Sequence, residues 1–197
     1  FRALFYLPCI ISVAIVGLIF SNLFDYFGFI NAWLVKAGIV DTPIDWFSSA
    51  WSARAALIAG SIWSSFGINV LYFISALSNV PEELYECARL DGASGWTTFR
   101  KITMPMIAPV FSTILLLAIN GTLQTCEYIL ATTKGAPHGS TYTVMAYVVN
   151  RFVPGFAEMG VNVGYGCALA LVTAVIMGMV ALVYTKLTAR LQNIYGN

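Results

Sequence analysis

The residues best suited to recognising a partner cluster in one polar stretch between two oily runs. It reads Pro81-Glu82-Glu83-Leu84-Tyr85-Glu86-Cys87-Ala88-Arg89-Leu90-Asp91-Gly92 and continues to Ile102-Thr103-Met104-Pro105. Of the 9 acidic residues in the chain it holds Glu82, Glu83, Glu86 and Asp91, with Arg89, Arg100 and Lys101 beside them. The chemistry such a segment offers is docking through charge and shape, not bond making. Pro81 fits the first position of a helix, and Glu82 and Glu83 fall in its first turn, where carboxylates complement the helix dipole. Glu82, Glu86 and Arg89 recur on one helical face, while Leu84, Ala88 and Leu90 supply apolar contact. Gly92 tolerates positive φ, so Asp91-Gly92 ends the helix and Asp91 caps the next one. That second helix, over roughly 94–103, leads into Pro105. Helix, turn, helix is a shape that lies in a partner's surface groove, and the small residues Ala88 and Gly92 permit close approach.

Little else in the chain is equipped for covalent chemistry. Glu127 is the only ionisable residue well inside an apolar run, and His138 stands alone between Pro137 and Gly139, which argues against a metal site. Cys9, Cys87, Cys126 and Cys167 form no CxxC pair and read as small packed hydrophobes. There is no Gly-Lys pair anywhere, hence no phosphate-binding P-loop. No cofactor is expected on this chain itself. A net charge of +1 gives no basic field for nucleic acid.

The elements that must position the polar stretch are membrane helices. The chain is 59% hydrophobic and 10% charged, with a mean hydropathy of +0.79. Such composition belongs to multi-span membrane proteins. Four runs reach spanning length, at about 3–24, 55–77, 106–131 and 161–185. This predicts an all-α polytopic bundle, 1–197 as one transmembrane domain, with the loop 78–105 and the C-terminal tail on one side. That side carries Arg2, Arg89, Arg100, Lys101, Lys186 and Arg190, against Lys36, Arg54, Lys134 and Arg151 on the other. The excess marks the loop side as cytoplasmic. On the opposite side, 25–54 reads as a short amphipathic helix (29–37) and a turn at Asp41-Thr42-Pro43; 132–160 reads as a turn at Lys134-Gly135-Ala136-Pro137 and an amphipathic run to Phe152.

The spacing Glu86, Ala88, Gly92, then nine residues to Ile102-x-Met104-Pro105, resembles the EAA loop of ABC importer permeases. Cys87 and Met104 stand where that family usually has Ala and Leu, both small departures. The likeness extends over nearly the whole chain and is similar to the maltose-type carbohydrate subfamily. It includes Phe1-Arg2-Ala3-Leu4-Phe5-Tyr6-Leu7-Pro8, Gly28-Phe29-Ile30-Asn31-Ala32-Trp33-Leu34, Thr133-Lys134-Gly135-Ala136-Pro137, the positions Thr141, Tyr147 and Phe152, and Gly164-Tyr165-Gly166-Cys167-Ala168.

The resemblance implies a permease of the bacterial cell membrane, lacking two N-terminal helices here, that imports sugars or oligosaccharides. It implies Glu82, Glu83, Glu86, Ala88, Asp91, Gly92, Ile102 and Pro105 as the ATPase-coupling residues. It implies as partners a second related permease, an ABC ATPase dimer that holds the ATP and Mg, and an extracytoplasmic solute-binding protein. Polar side chains within apolar spans face a wet path or pack between helices. Ser61, Ser64 and Asn69 in the second span, and Asn120, Thr122, Gln124 and Thr125 in the third, are the candidate path residues, and Trp63 offers a ring for sugar stacking. By the resemblance, sugar contacts fall near Ser61, Ser64, Ile68, Gly121, Thr122 and Thr125. The alternatives are an ABC permease for another solute, a membrane-embedded enzyme, or a channel.

Overall fold

A computed structural model describes residues 8–153 and 160–195. It is helical throughout, with no strand among the described residues. The helices are α1 (Val13–Leu23), α2 (Phe29–Lys36), α3 (Ala50–Ser78), α4 (Glu82–Leu90), α5 (Gly95–Thr98), α6 (Met104–Gln124), α7 (Glu127–Thr132), α8 (Val144–Phe152) and α9 (Val163–Tyr195). A π-helical turn, Phe99–Thr103, joins α5 to α6. Three helical stretches are long and apolar enough to cross a membrane: Ala50–Ser78, Gly95–Gln124 and Val163–Lys186. Along α9, Leu171, Val172, Val175, Ile176, Met179, Leu182 and Val183 are exposed, the pattern expected of a helix surrounded by lipid.

Two of the four expected spans differ. Residues 1–7 of the first lie outside the described residues. In the rest, the backbone leaves the helix at Ile11-Ser12, where Ser12 adopts ψ 136°, so α1 is only 11 residues long. At 1.5 Å per residue that is about 16 Å, roughly half of a hydrocarbon core. The third run is not one helix to 131: α6 stops at Gln124, and α7 restarts after Thr125-Cys126. Thr143 donates its hydroxyl to the Thr125 carbonyl at this break, satisfying an acceptor that the helix no longer uses. Glu127 thus sits in the first turn of α7 rather than deep in a span.

The chain falls into two compact units. The first comprises Phe1–Gly67 and Gly121–Val175, and the second Ile68–Asn120 and Ile176–Asn197. In the first unit α1 packs on α7 around Val16, Phe20, Leu57, Tyr128, Ile129 and Ala146. The buried Tyr128 hydroxyl donates to the Leu57 carbonyl at 3.0 Å, so the ring can be buried without stranding its polar end. The segment after α1 is organised by Asn31, which is 1% exposed. Its Nδ2 donates to the carbonyls of Asp25, Tyr26 and Ile44, and its Oδ1 accepts from Ile44 N and Trp46 Nε1.

The second unit holds the polar loop. Its core is Ala76, Val80 and Ile107, with Phe73, Tyr85 and Ile102 packed against them. The rings of Phe73 and Phe111 lie 6.1 Å apart.

Candidate functional site: a docking loop and the polar positions of the spans

The loop is built as helix, turn, helix. Pro81 is the N-cap of α4, one position earlier than expected, with ψ 131°. Glu82 and Glu83 occupy the first turn and Arg89 the last, an order that favours the helix dipole at both ends. Asp91 is the C-cap, and Gly92 follows at φ +69°. Gly92 N donates to Arg89 O at 3.1 Å and Ala93 N to Ala88 O at 2.9 Å. This pair of bonds is the Schellman motif, which satisfies the last carbonyls by turning one residue left-handed.

Asp91 does not cap the next helix, contrary to expectation. Ser94 does so, accepting from Thr97 N at 3.3 Å. Only three residues after Gly92 does α5 begin, so a cap at Asp91 would lie too far back to reach the free amides. Nor does Pro105 mark a boundary. The backbone stays helical from Gly95 to Gln124. Met104 N donates to Phe99 O, the wider π spacing, immediately before the proline that lacks an N–H.

Exposure sorts the expected coupling residues into two groups. Glu82, Glu83, Glu86, Asp91 and Gly92 are exposed on the loop surface. Ala88 is 6% exposed and turned inward, Ile102 packs on the unit's own core, and Pro105 is half-buried. The Tyr85 hydroxyl lies 3.1 Å from Thr103 Oγ1, which ties α4 to the π turn. Ile102 and Tyr85 therefore hold the loop to its helices, while the carboxylates face outward.

The surface also carries an apolar component that reading the sequence for charge does not reveal. Leu90 is 88% exposed, and Trp96 stacks on Phe99 with ring centroids 5.8 Å apart. The i, i+3 spacing of two aromatics is the signal that could have found it. Exposed apolar groups of this size beside carboxylates are a contact surface more than a solvated one.

The glycine permits a clean test. A Cβ on Gly92 meets nothing within 4 Å, so a substitution there adds strain without collision. Gly92→Val is expected to destabilise the turn by about 1–3 kcal/mol, since a β-branched residue resists positive φ. Ala93→Ser is expected to be near neutral. The measure is the rate at which added protease cleaves the chain at residues 91–94; equal rates for both variants would show that Gly92 does not hold the turn.

The polar span residues are less uniform. Ser61, Ser64, Thr122, Gln124 and Thr125 belong to the first unit, and Asn69 and Asn120 to the second. Ser64 donates to Ser61 O at 3.2 Å and Thr125 to Gly121 O at 2.8 Å. Both hydroxyls are thus bonded to their own helix backbone. Ser61, Thr122 and Gln124 are exposed, while Ser64, Ile68, Asn69, Asn120 and Thr125 are half-buried; Gly121 is exposed as well. Trp63 tilts against Phe20, their centroids 5.8 Å apart, so one part of its ring is already in aromatic contact.

Residues 1–193 match the family described as binding-protein-dependent transport system inner membrane component. The lactose transport system permease protein LacF of Rhizobium radiobacter is 32% identical over 162 residues, 80% of this chain and 54% of that protein. The probable ABC transporter permease protein YesP of Bacillus subtilis (strain 168) is 35% identical over 94% of this chain and 59% of its own length. The chain thus spans little more than half the length of these relatives. Among solved structures, a bacterial ABC transporter involved in the import of the acidic polysaccharide alginate matches with a TM-score of 0.82 and 23% identity, over 96% of this chain and 64% of that one. That similarity is one of fold. The chain is a multi-pass membrane protein that belongs to the binding-protein-dependent transport system inner membrane components.

Proposed function

We propose that this chain is the transmembrane permease subunit of an ATP-driven importer for sugars or oligosaccharides, residues 1–197 acting as one permease domain. The observation that carries the reading is the loop from Glu82 to Thr103: a capped helix and turn that expose Glu82, Glu86 and the Trp96–Phe99 pair. Relatives of the chain named for arabinooligosaccharide and for trehalose and maltose transport support a saccharide as the solute.

The mechanism follows from coupling. A separate ATPase pair holds ATP and Mg, since this chain has no P-loop. Closure of that pair moves the docked loop. The continuous helical backbone from Gly95 to Gln124 carries the movement into the membrane. Together with a second, related permease, the chain then opens outward, and a solute-binding protein delivers solute at segments 25–54 and 132–160. The chain contributes binding and motion and performs no covalent step. In this reading Ser61, Ser64, Asn69, Asn120, Thr122, Gln124 and Thr125 contribute to the path, where neutral hydroxyl and amide groups suit a hydroxyl-rich solute.

Single cysteines at Thr122 and Thr125, made after Cys126 is replaced by serine, test the path. They are expected to react with a small water-soluble thiol reagent and to be protected by substrate. Labelling at neither position in any nucleotide state leaves these threonines as packing residues.

A further inference from the structure

The connection between α7 and α8 encloses an open pocket of about 690 Å³ in the first unit, lined by Lys134, His138, Tyr142, Tyr147, Asn150 and Arg151 among others. Its wall is firmly built. The hydroxyls of Thr133 and Thr141, both buried, lie 2.9 Å apart, and Thr141 also donates to Ala136 O at 2.8 Å. The Tyr142 hydroxyl donates to Lys134 O at 2.9 Å and accepts from Asn150 Nδ2 at 2.6 Å. Gly135, at φ +88°, lies where any Cβ would overlap the Tyr142 ring.

Two of the lining residues are held in a conformation that their side chains disfavour. Lys134 has φ +50° and His138 φ +51°, and a glycine follows each. Side chains at left-handed positions are uncommon, and they cluster where a site needs a group aimed in one direction. Arg151 donates to the Tyr147 hydroxyl at 3.2 Å, with its guanidinium 5.3 Å from that ring's centroid. Lys134 and His138 thus line one pocket beside Arg151, whose guanidinium is already engaged.

We propose that this pocket is a subsite for an acidic saccharide unit, one bearing a carboxylate on a sugar ring. The inference rests on the saccharide-importer reading and deepens it. Lys134, with His138 beside it, is the basic wall and takes the carboxylate, and the Tyr147 hydroxyl, which accepts from Arg151, has its proton to donate to a ring oxygen. Volume decides between a sugar and a protein side chain. Small-molecule sites occupy roughly 300–1,000 Å³, the range this pocket falls in, whereas one Asp or Glu side chain fills only a small part of it. The neutral candidate path residues select for hydroxyls, so discrimination by charge would be made here.

The test uses the full-length permease in its assembled transporter, in nanodiscs, titrated with digalacturonate, neutral galactobiose and inorganic phosphate. Digalacturonate is expected to bind about tenfold more tightly than galactobiose, a difference of about 1.4 kcal/mol. Lys134→Gln is expected to remove most of that preference. Lys134→Gly, which relieves the positive φ, is expected to lose the preference too while melting no lower than wild type; a purely structural lysine would not behave so. Equal binding of the two disaccharides overturns the proposal, as does equal competition by phosphate. Loss of binding-protein docking in Lys134→Gln without loss of digalacturonate binding assigns the basic wall to the partner and also overturns it. ATP-dependent import of neutral oligosaccharide, measured in parallel, separates the two levels. If it persists, only the acidic subsite falls; if no saccharide is imported, the importer reading falls.

Discussion

Glu86→Lys is expected, on the importer reading proposed above, to abolish saccharide import while the protein still reaches the membrane and the ATPase partner still turns over ATP. Glu86 is exposed near the middle of α4, one turn from Glu82 on the outward face. It holds no core together, so its replacement should leave the helix intact. At a docked interface the same change swaps attraction for repulsion, and truncating one partner of a charge pair there costs roughly 2–5 kcal/mol. That is about a 30-fold or greater loss of docked complex, in line with about tenfold per 1.4 kcal/mol. Transport and ATP hydrolysis measured in the same proteoliposomes decide the matter. Import at the wild-type rate would show that Glu86 faces no partner.

Asn31→Leu should give the largest loss of stability. The substitution removes the acceptor for Ile44 N and Trp46 Nε1, two donors, along with three bonds given to carbonyls. Leaving two half-buried donors unpaired costs about 2–4 kcal/mol in total. The expected result is a clearly lower thermal unfolding temperature in detergent, with segment 25–46 cleaved first by added protease. An unchanged melting curve and digestion pattern would mean that Asn31 does not organise this segment.

The difference between these two residues shows what a sequence can and cannot reveal. The place of Glu86 on a helix is legible because its neighbours announce a helix start at Pro81 and a glycine stop at Gly92, and each is a local rule. The apolar runs at 55–77 and 161–185 are legible for the same reason; α3 covers the first, and α9 all of the second but Val161 and Asn162. The expected helix at 29–37 and the run ending at Phe152 correspond to α2 and α8. Asn31 is not legible as a hub, because its partners lie up to 15 residues away and an Asn inside an apolar motif looks like any other.

The breaks at Ser12 and Thr125 escape the sequence for a related reason. Neither residue is a proline or glycine, and the bond that steadies the second break comes from Thr143, 18 residues on. Asp-Gly is a strong turn pair, which points to Asp91 as the cap, but the Schellman geometry uses the glycine alone and leaves the next cap to Ser94. Ala88 suits a partner for being small. The fold uses its smallness internally, burying it against its own unit.

In the proposed reading, the loop from Glu82 to Thr103 docks on a separate ATPase. A photo-crosslinking residue at Leu90, which is 88% exposed, tests it most directly, with one at the equally exposed Phe27 as the control. In membranes carrying the whole transporter, Leu90 is predicted to cross-link to a subunit that bears a P-loop, and Phe27 is not. A P-loop subunit captured from Phe27 and not from Leu90 would contradict the account, and so would the absence of any such adduct from Leu90.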